Sequence, residues 1–221
     1  MLYLVATPIG NLGDFSFRAV ETLKSCDYIL CEDTRRSGIL LKHYGIDVRM
    51  RSFHMFNEAR KEDEVIEDLK NGKKIALISD AGTPGINDPG ERLVQRCKKE
   101  ELPLSAIPGP CALITALTLS GLPTAKFQFL GFLPKKPSHH KRAIQEMLDY
   151  AGTSICYESP FRLIKSLKKI CELDKDRTVC VARELTKTFE EVFTASAENT
   201  LAHFQKKTVK GEIALLINGK N

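Results

Sequence analysis

Asp80-Ala81-Gly82-Thr83-Pro84-Gly85-Ile86-Asn87-Asp88-Pro89-Gly90 sits between an apolar run, residues 74–79, and a stretch of helical spacing, residues 89–100. The run reads as a buried strand. The stretch reads as a helix with a proline near its start, where helices accept one. An eleven-residue connection is long for a strand-to-helix turn, which needs roughly two to six residues. Its three glycines and two prolines give a tight backbone that a ligand can approach closely. In open α/β sheets, ligands bind outside the carboxyl ends of the strands. The loop is neither Gly-x-Gly-x-x-Gly nor a Walker loop, which disfavours nucleoside triphosphates and the usual dinucleotide fold.

Two similar loops follow other strands. Thr7-Pro8-Ile9-Gly10-Asn11 comes after the apolar residues 2–6, and Pro108-Gly109-Pro110-Cys111-Ala112 after residues 102–107. Three such loops after three strands can line one cleft. Strands are also expected at 28–31 and 48–53. Helices are expected from Phe17 to Lys24, capped by Asp14 or Ser16, and over 36–44 and 58–70. Alternating strands and helices imply a mainly parallel sheet covered by helices.

The second half reads differently. An apolar helix, 111–119, precedes a strand at 127–133 and a basic loop at 134–142. Helices at 144–150, 161–171 and 197–205 alternate with strands at 154–157, 179–183, 190–195 and 213–217, a more antiparallel pattern. The expected domains are 1–118 and 119–221.

Composition is that of an ordinary globular protein. Hydrophobic residues make up 43% and charged residues 28% of the 221 residues. No apolar run is long enough to span a bilayer, and the start lacks signal-peptide features, so a cytoplasmic protein is expected. The seven cysteines form no Cys-x-x-Cys pair and sit mostly in apolar surroundings, as reduced thiols do. No metal site is expected, because no Cys or His pair has ligand spacing apart from the adjacent His139-His140. A net charge of +5 permits an anionic partner such as RNA without demanding one.

Seven blocks occur in a fixed order: Leu4-Val5-Ala6-Thr7-Pro8-Ile9-Gly10-Asn11-Leu12, Cys31-Glu32-Asp33-Thr34-Arg35, residues 79–90, residues 108–112, Tyr157-Glu158-Ser159-Pro160-Phe161-Arg162, Ala182-Arg183-Glu184-Leu185-Thr186-Lys187 and Gly211-Glu212-Ile213. Together they resemble the small-subunit rRNA 2′-O-methyltransferase branch of the tetrapyrrole methylase superfamily. The resemblance spans nearly the whole chain. It implies two α/β domains, a mainly parallel N-terminal sheet and a mixed C-terminal sheet, with S-adenosylmethionine between the domains in a homodimer. It further implies 2′-O-methylation of a cytidine near the decoding centre, in small-subunit (16S) rRNA or the 30S subunit, leaving S-adenosylhomocysteine. Many members of that branch carry a further helical segment after the Gly-Glu block. If that segment helps grip RNA, this chain is expected to do so otherwise.

The resemblance assigns the cofactor to Pro8, Asp80, Ala81, Gly82, Pro84 and Ile86 in the first domain, and to Cys111, Ala112, Tyr157, Leu185 and Ala214 closing the pocket. Apolar walls with backbone donors and acceptors suit such a ligand. Asp80 can bond the cofactor or cap its own loop; both roles are open.

Methyl transfer to oxygen is an in-line displacement that gains much from alignment. A ribose hydroxyl is barely acidic, so a base or a cationic stabiliser should help. Candidate groups are Glu32, Asp33 and Arg35 in one segment, and His54, Asn57 and Glu58 in another. Asp33 can instead be an N-cap, and Glu58 can simply favour a helix start. Asn11, Thr34, Arg36, Arg162, Arg183, Glu184 and Lys187 are the expected substrate contacts. The charges of residues 183–187 require either cleft exposure or internal ion pairs. Residues 135–142, with Lys206, Lys207 and Lys210, can meet phosphates or form a solvated surface. The alternatives are a carbon methyltransferase for a tetrapyrrole precursor, disfavoured by residues 32–35 and 182–187, and a non-catalytic RNA-binding assembly factor.

Overall fold

The computed structural model describes residues 1–220. Its first compact unit, Met1–Cys111, runs β1 (Leu2–Val5), a short 3-10 turn (Leu12–Asp14), α1 (Phe17–Lys24), β2 (Tyr28–Cys31), α2 (Thr34–His43), β3 (Met50–Ser52), α3 (Glu58–Lys70), β4 (Ile75–Ile78), α4 (Glu91–Lys99) and β5 (Leu104–Ile107). The five strands form one parallel sheet in the order β3-β2-β4-β1-β5. All four residues of β4 are buried, because helices cover both faces. Ala19 and Leu23 of α1 and Leu40 and Leu41 of α2 pack with Val5, Ile29 and Ile78. Val65, Ile66 and Leu69 of α3 and Leu93 and Cys97 of α4 pack on the opposite face with Leu2, Leu30 and Leu77.

This topology places the crevice. β1 and β4 are neighbours, yet the chain leaves β1 toward the α1/α2 face and β4 toward the α3/α4 face. Connections that part in this way open a cleft at the carboxyl edge of a parallel sheet.

The second unit, from Ala112 onward, contains α5 (Ala112–Leu119), β6 (Phe127–Phe132), α6 (Pro137–Asp149), β7 (Thr153–Glu158), α7 (Leu163–Leu173), β8 (Thr178–Arg183), β9 (Glu191–Ser196), α8 (Ala197–Gln205) and β10 (Ile213–Ile217). Its sheet has the order β6-β7-β10-β8-β9. Only the β6–β7 pair is parallel; the other three are antiparallel. Ile144, Met147, Leu163, Leu167 and Phe204 fill one core against Cys156, Val181 and Leu215.

The mainly parallel first sheet and mixed second sheet are as expected, and three details differ. The division falls at Cys111/Ala112 rather than near residue 118, because α5 packs on β7 and β10. Residues 137–142 of the expected basic loop are helical. Pro137 occupies the first turn of α6, and His140, Ile144 and Met147 are buried at helical spacing behind the charges. Of the two proposed caps for α1, Ser16 is the one used, accepting the Ala19 N–H at 3.1 Å.

Candidate functional site

All three Gly/Pro-rich loops lie at the carboxyl edge of the first sheet, and hydrogen bonds join them. Thr7 and Gly82 exchange backbone bonds of 2.9 and 3.0 Å. The Thr7 hydroxyl donates to the Ser79 carbonyl at 3.1 Å, and the Ser79 hydroxyl to the Gly82 carbonyl at 2.9 Å. The Thr83 hydroxyl reaches the Pro110 carbonyl at 3.2 Å. Gly82 has φ +84°, and a Cβ there would stand 3.3 Å from Ile9. Glycine meets both demands. Pro8, Gly82 and Pro84 are buried beneath this seam and Ala81 is exposed. Ile86 is 42% exposed, an apolar side chain presented to solvent at the mouth of a shaped loop.

The ends of β2 and β3 carry the ionisable groups. Asp33 caps α2, its carboxylate accepting the Arg35 N–H at 2.9 Å and the Arg35 guanidinium at 2.8 Å. Arg35 holds the Asp33 carboxyl well below the usual range. The Asp33 N–H donates to Asp80 at 3.2 Å, and Arg36 approaches the other Asp80 oxygen at 3.4 Å. Asp80 therefore ties the β4 loop to the start of α2. Glu32 and Thr34 are partly exposed; Arg35 and Arg36 are exposed. Asn11 is exposed and bonds the Gly13 N–H at 3.0 Å.

At the end of β3, the Phe53 N–H bonds the Cys31 carbonyl at 2.7 Å, setting residues 54–58 beside residues 32–36. Asn57 accepts the His54 backbone N–H with its Oδ1 at 2.9 Å, so its Nδ2 is the group facing His54 Nε2 at 3.0 Å. An amide nitrogen donates, so Nε2 accepts and the neutral ring carries its proton on Nδ1. Nδ1 is buried and has no protein partner among the described residues. The same holds for Oε1 of Glu58, a buried carboxylate at the first position of α3. Buried polar atoms are normally paired, so these two orphans single out the segment between β3 and α3.

Asp88 belongs to this group although only its loop, and not the residue itself, stood out in the sequence. Burial, with the neighbouring charges of Glu32 and Asp80, raises its carboxyl to about 6. The signal available was an Asp inside the long loop; which carboxylates it would face was not legible.

In the second unit Tyr157 and Ala214 lie side by side on neighbouring strands, and Leu185 follows the end of β8. Ala214 pairs with Tyr157 on one side and Ala182 on the other. The Tyr157 ring lies 4.9 Å from Phe129 and 5.6 Å from Phe132. Leu185 is buried and Cys111 and Ala112 are partly exposed. Arg162 forms a 2.6 Å ion pair with Glu158, whose side chain is 0% exposed. Glu158 also accepts the Ser159 N–H at 2.7 Å and the Ser166 hydroxyl at 2.6 Å, and Ser166 contacts His140 at 2.9 Å. Residues 183–187 take the internal-pair alternative: Arg183 binds Glu191 at 2.7 Å, and Lys187 binds Glu184 and Glu212 at 2.9 and 2.8 Å.

Loops and charges at parallel strand ends, followed by a mixed-sheet unit, define a ligand-binding α/β protein of enzyme type. The chain belongs to the tetrapyrrole (corrin/porphyrin) methylases, whose family pattern matches residues 1–200. It is 45% identical to the ribosomal RNA small subunit methyltransferase I of Hydrogenobaculum sp., over 100% of this chain and 96% of that one. Identity to the protein of the same name from Thermotoga maritima is 42%, covering 99% and 98%. With that of Escherichia coli O157:H7 it is 44%, covering 99% and 77%. Among solved structures, a diphthine synthase superposes with a TM-score of 0.76 at 13% identity, covering 100% of this chain and 91% of that one. The uroporphyrin-III-C-methyltransferase of Thermus thermophilus superposes at 0.67 with 16% identity, covering 98% and 93%. These last two likenesses are of fold. Among the described residues, no helix is long and apolar enough to cross a membrane.

Proposed function

We propose that the protein is an S-adenosylmethionine-dependent methyltransferase acting on the ribose 2′-oxygen of a cytidine in small-subunit rRNA. The observation that carries this reading is the likeness to rRNA small subunit methyltransferases I, at 42–45% identity over almost the whole chain. The tetrapyrrole alternative has only the fold behind it. A cytoplasmic homodimer working on rRNA or the 30S subunit without a metal is part of the same proposal.

The residues of the first unit suit such a donor and acceptor. Joined loops with buried Pro8 and Pro84 and an exposed Ile86 offer an apolar wall with backbone groups beside it. Bound there, the cofactor supplies an electrophilic methyl group on a cationic sulfur. Glu32, Asp80 and Asp88 bring negative charge to the same crevice, which favours a cation. Residues 32–36 and 54–58 would hold the acceptor. Glu58 would take the proton of the ribose hydroxyl and His54 would orient the ribose, their buried and unpaired Oε1 and Nδ1 being uncovered as the acceptor enters. Arg35 and Arg36, exposed although paired with Asp33 and Asp80, would meet the flanking phosphates. Ala112, Tyr157, Leu185 and Ala214 are the residues of the second unit assigned to the cofactor, with Cys111 at the end of the first.

The test uses small subunits from cells lacking the endogenous activity, a labelled methyl donor and methylation mapping. Transfer should leave a nucleotide resistant to alkaline cleavage, because the methylated hydroxyl is the internal nucleophile of hydrolysis. Arg35→Ala and Glu58→Gln should lose transfer by about 10²-fold or more while keeping near-normal donor affinity. A methyl group on a base would sink the ribose assignment. Full activity in both variants would remove these segments from the acceptor site.

A further inference from the structure

Several cations of the second unit are neutralised: Arg162 by Glu158, Arg177 by Asp174, Arg183 by Glu191 and Lys187 by Glu184. Lys135, Lys136, Lys141 and Arg142, clustered at the end of β6 and the start of α6, are among those that are not. All four are exposed, and among the described residues none has a carboxylate within salt-bridge distance. Lys141 and Arg142 share the exposed face of α6 with Ser138, Gln145 and Glu146, and Glu146 is the only acid among these five, so that face stays cationic.

Aromatic rings stand beside this charge. Phe161 is 94% exposed and Phe132 54% exposed. Arg162 fixes their neighbourhood, since its guanidinium donates to the Leu133 carbonyl at 2.9 Å while pairing with the buried Glu158. The loop bearing Phe161 is thereby pinned to the end of β6, one residue from Phe132 and two from Lys135. Full solvent exposure of a phenylalanine forgoes the gain of burying it, and the core of this unit is complete without it. Exposed aromatic faces next to unneutralised cations are the two elements that single-stranded nucleic acid needs: stacking for bases and charge for the backbone.

We propose that this face of the second unit, formed by residues 132–142 and Phe161, binds single-stranded RNA, the lysines and Arg142 holding phosphates and Phe161 stacking on a base. The inference rests on the rRNA reading and deepens it by placing an RNA contact on the second unit.

Fluorescence anisotropy with a labelled oligocytidylate about 12 nucleotides long tests it. The triple variant Lys135→Glu, Lys141→Glu, Arg142→Glu should bind at least 10-fold more weakly, with a salt dependence shallower by about 2 in slope. Phe161→Ala should weaken binding roughly 5- to 100-fold with the slope unchanged. Lys141→Gln, the mildest change, should give a smaller loss. Donor affinity by calorimetry and the melting temperature should stay at wild-type values throughout. Wild-type oligocytidylate affinity in all these variants would overturn the proposal. So would a Phe161→Ala protein whose oligomeric state changes while its RNA affinity does not, which would mark an interface between copies. Loss of binding to assembled subunits but not to RNA would point to a ribosomal protein and overturn it as well. Absence of donor binding in the wild type would sink the methyltransferase reading instead, leaving the oligocytidylate result to decide this one.

Discussion

Asp80, at the end of β4, accepts the backbone N–H of Asp33, the cap of α2, at 3.2 Å. One carboxylate thus ties the loop after β4 to the start of α2. Asp80→Ala should lower stability by about 1 kcal/mol, since the group is partly exposed, and should weaken donor binding. Asp80→Asn keeps the acceptor oxygen and should restore stability. Urea unfolding and calorimetry on both variants separate the tie from a direct cofactor contact: if Asn also restores donor affinity, only the tie matters.

Gly82 exchanges backbone bonds with Thr7 and stands against Ile9, so a larger side chain there strains the fold as well as the loop. Gly82→Val imposes a positive φ on a β-branched residue and crowds Ile9. It should cost about 1–3 kcal/mol in stability together with donor affinity. Unchanged denaturant midpoint and donor affinity would remove this loop from the pocket.

Asp88 should give stability a pH dependence of unusual sign for a carboxylate. Its pKa is raised from 3.8 to about 6 by burial and by Glu32 and Asp80. Between these values the folded protein holds a proton that the unfolded chain has lost, so this group's contribution falls as pH rises through the window and is flat above it. Asp88→Asn should therefore gain stability over wild type above about pH 6 and not below about pH 4. Melting temperatures across that range check it, and a constant difference would refute the assignment.

His140 acts in the opposite direction. Burial lowers its pKa below 6.5, against the raising effect of Glu158, with Lys165, Arg162 and Lys169 adding to the lowering. Below the unfolded value the unfolded chain binds a proton that the folded one resists, so stability is present above about pH 6.5 and is lost as pH falls. His140→Gln should flatten that slope. Removing the buried partner, Glu158→Ala, strands Arg162 and should cost about 3–5 kcal/mol. A denaturant midpoint close to wild type in Glu158→Ala would show that the network is dispensable.

The local chemistry of the chain determined a great deal by itself. Four-residue apolar runs ended by Gly/Pro loops specify short strands covered on both faces, and Ser16 and Asp33 sit where caps are required. Those signals depend on neighbours in sequence, so the alternation of elements, the parallel first sheet and the placing of the loops at strand ends were legible. The basic segment was less so: charge concealed the spacing of His140, Ile144 and Met147, which turns it into α6. Tertiary structure alone decided which charges are spent and which are free. Arg162 lies four residues from Glu158 and is consumed by it, Asp88 meets Glu32 from a different strand end, and Glu58 keeps a buried oxygen unpaired. Pairing and desolvation are set by distances and burial in three dimensions, mostly between segments far apart in the chain, and a linear pattern of residue types does not contain them.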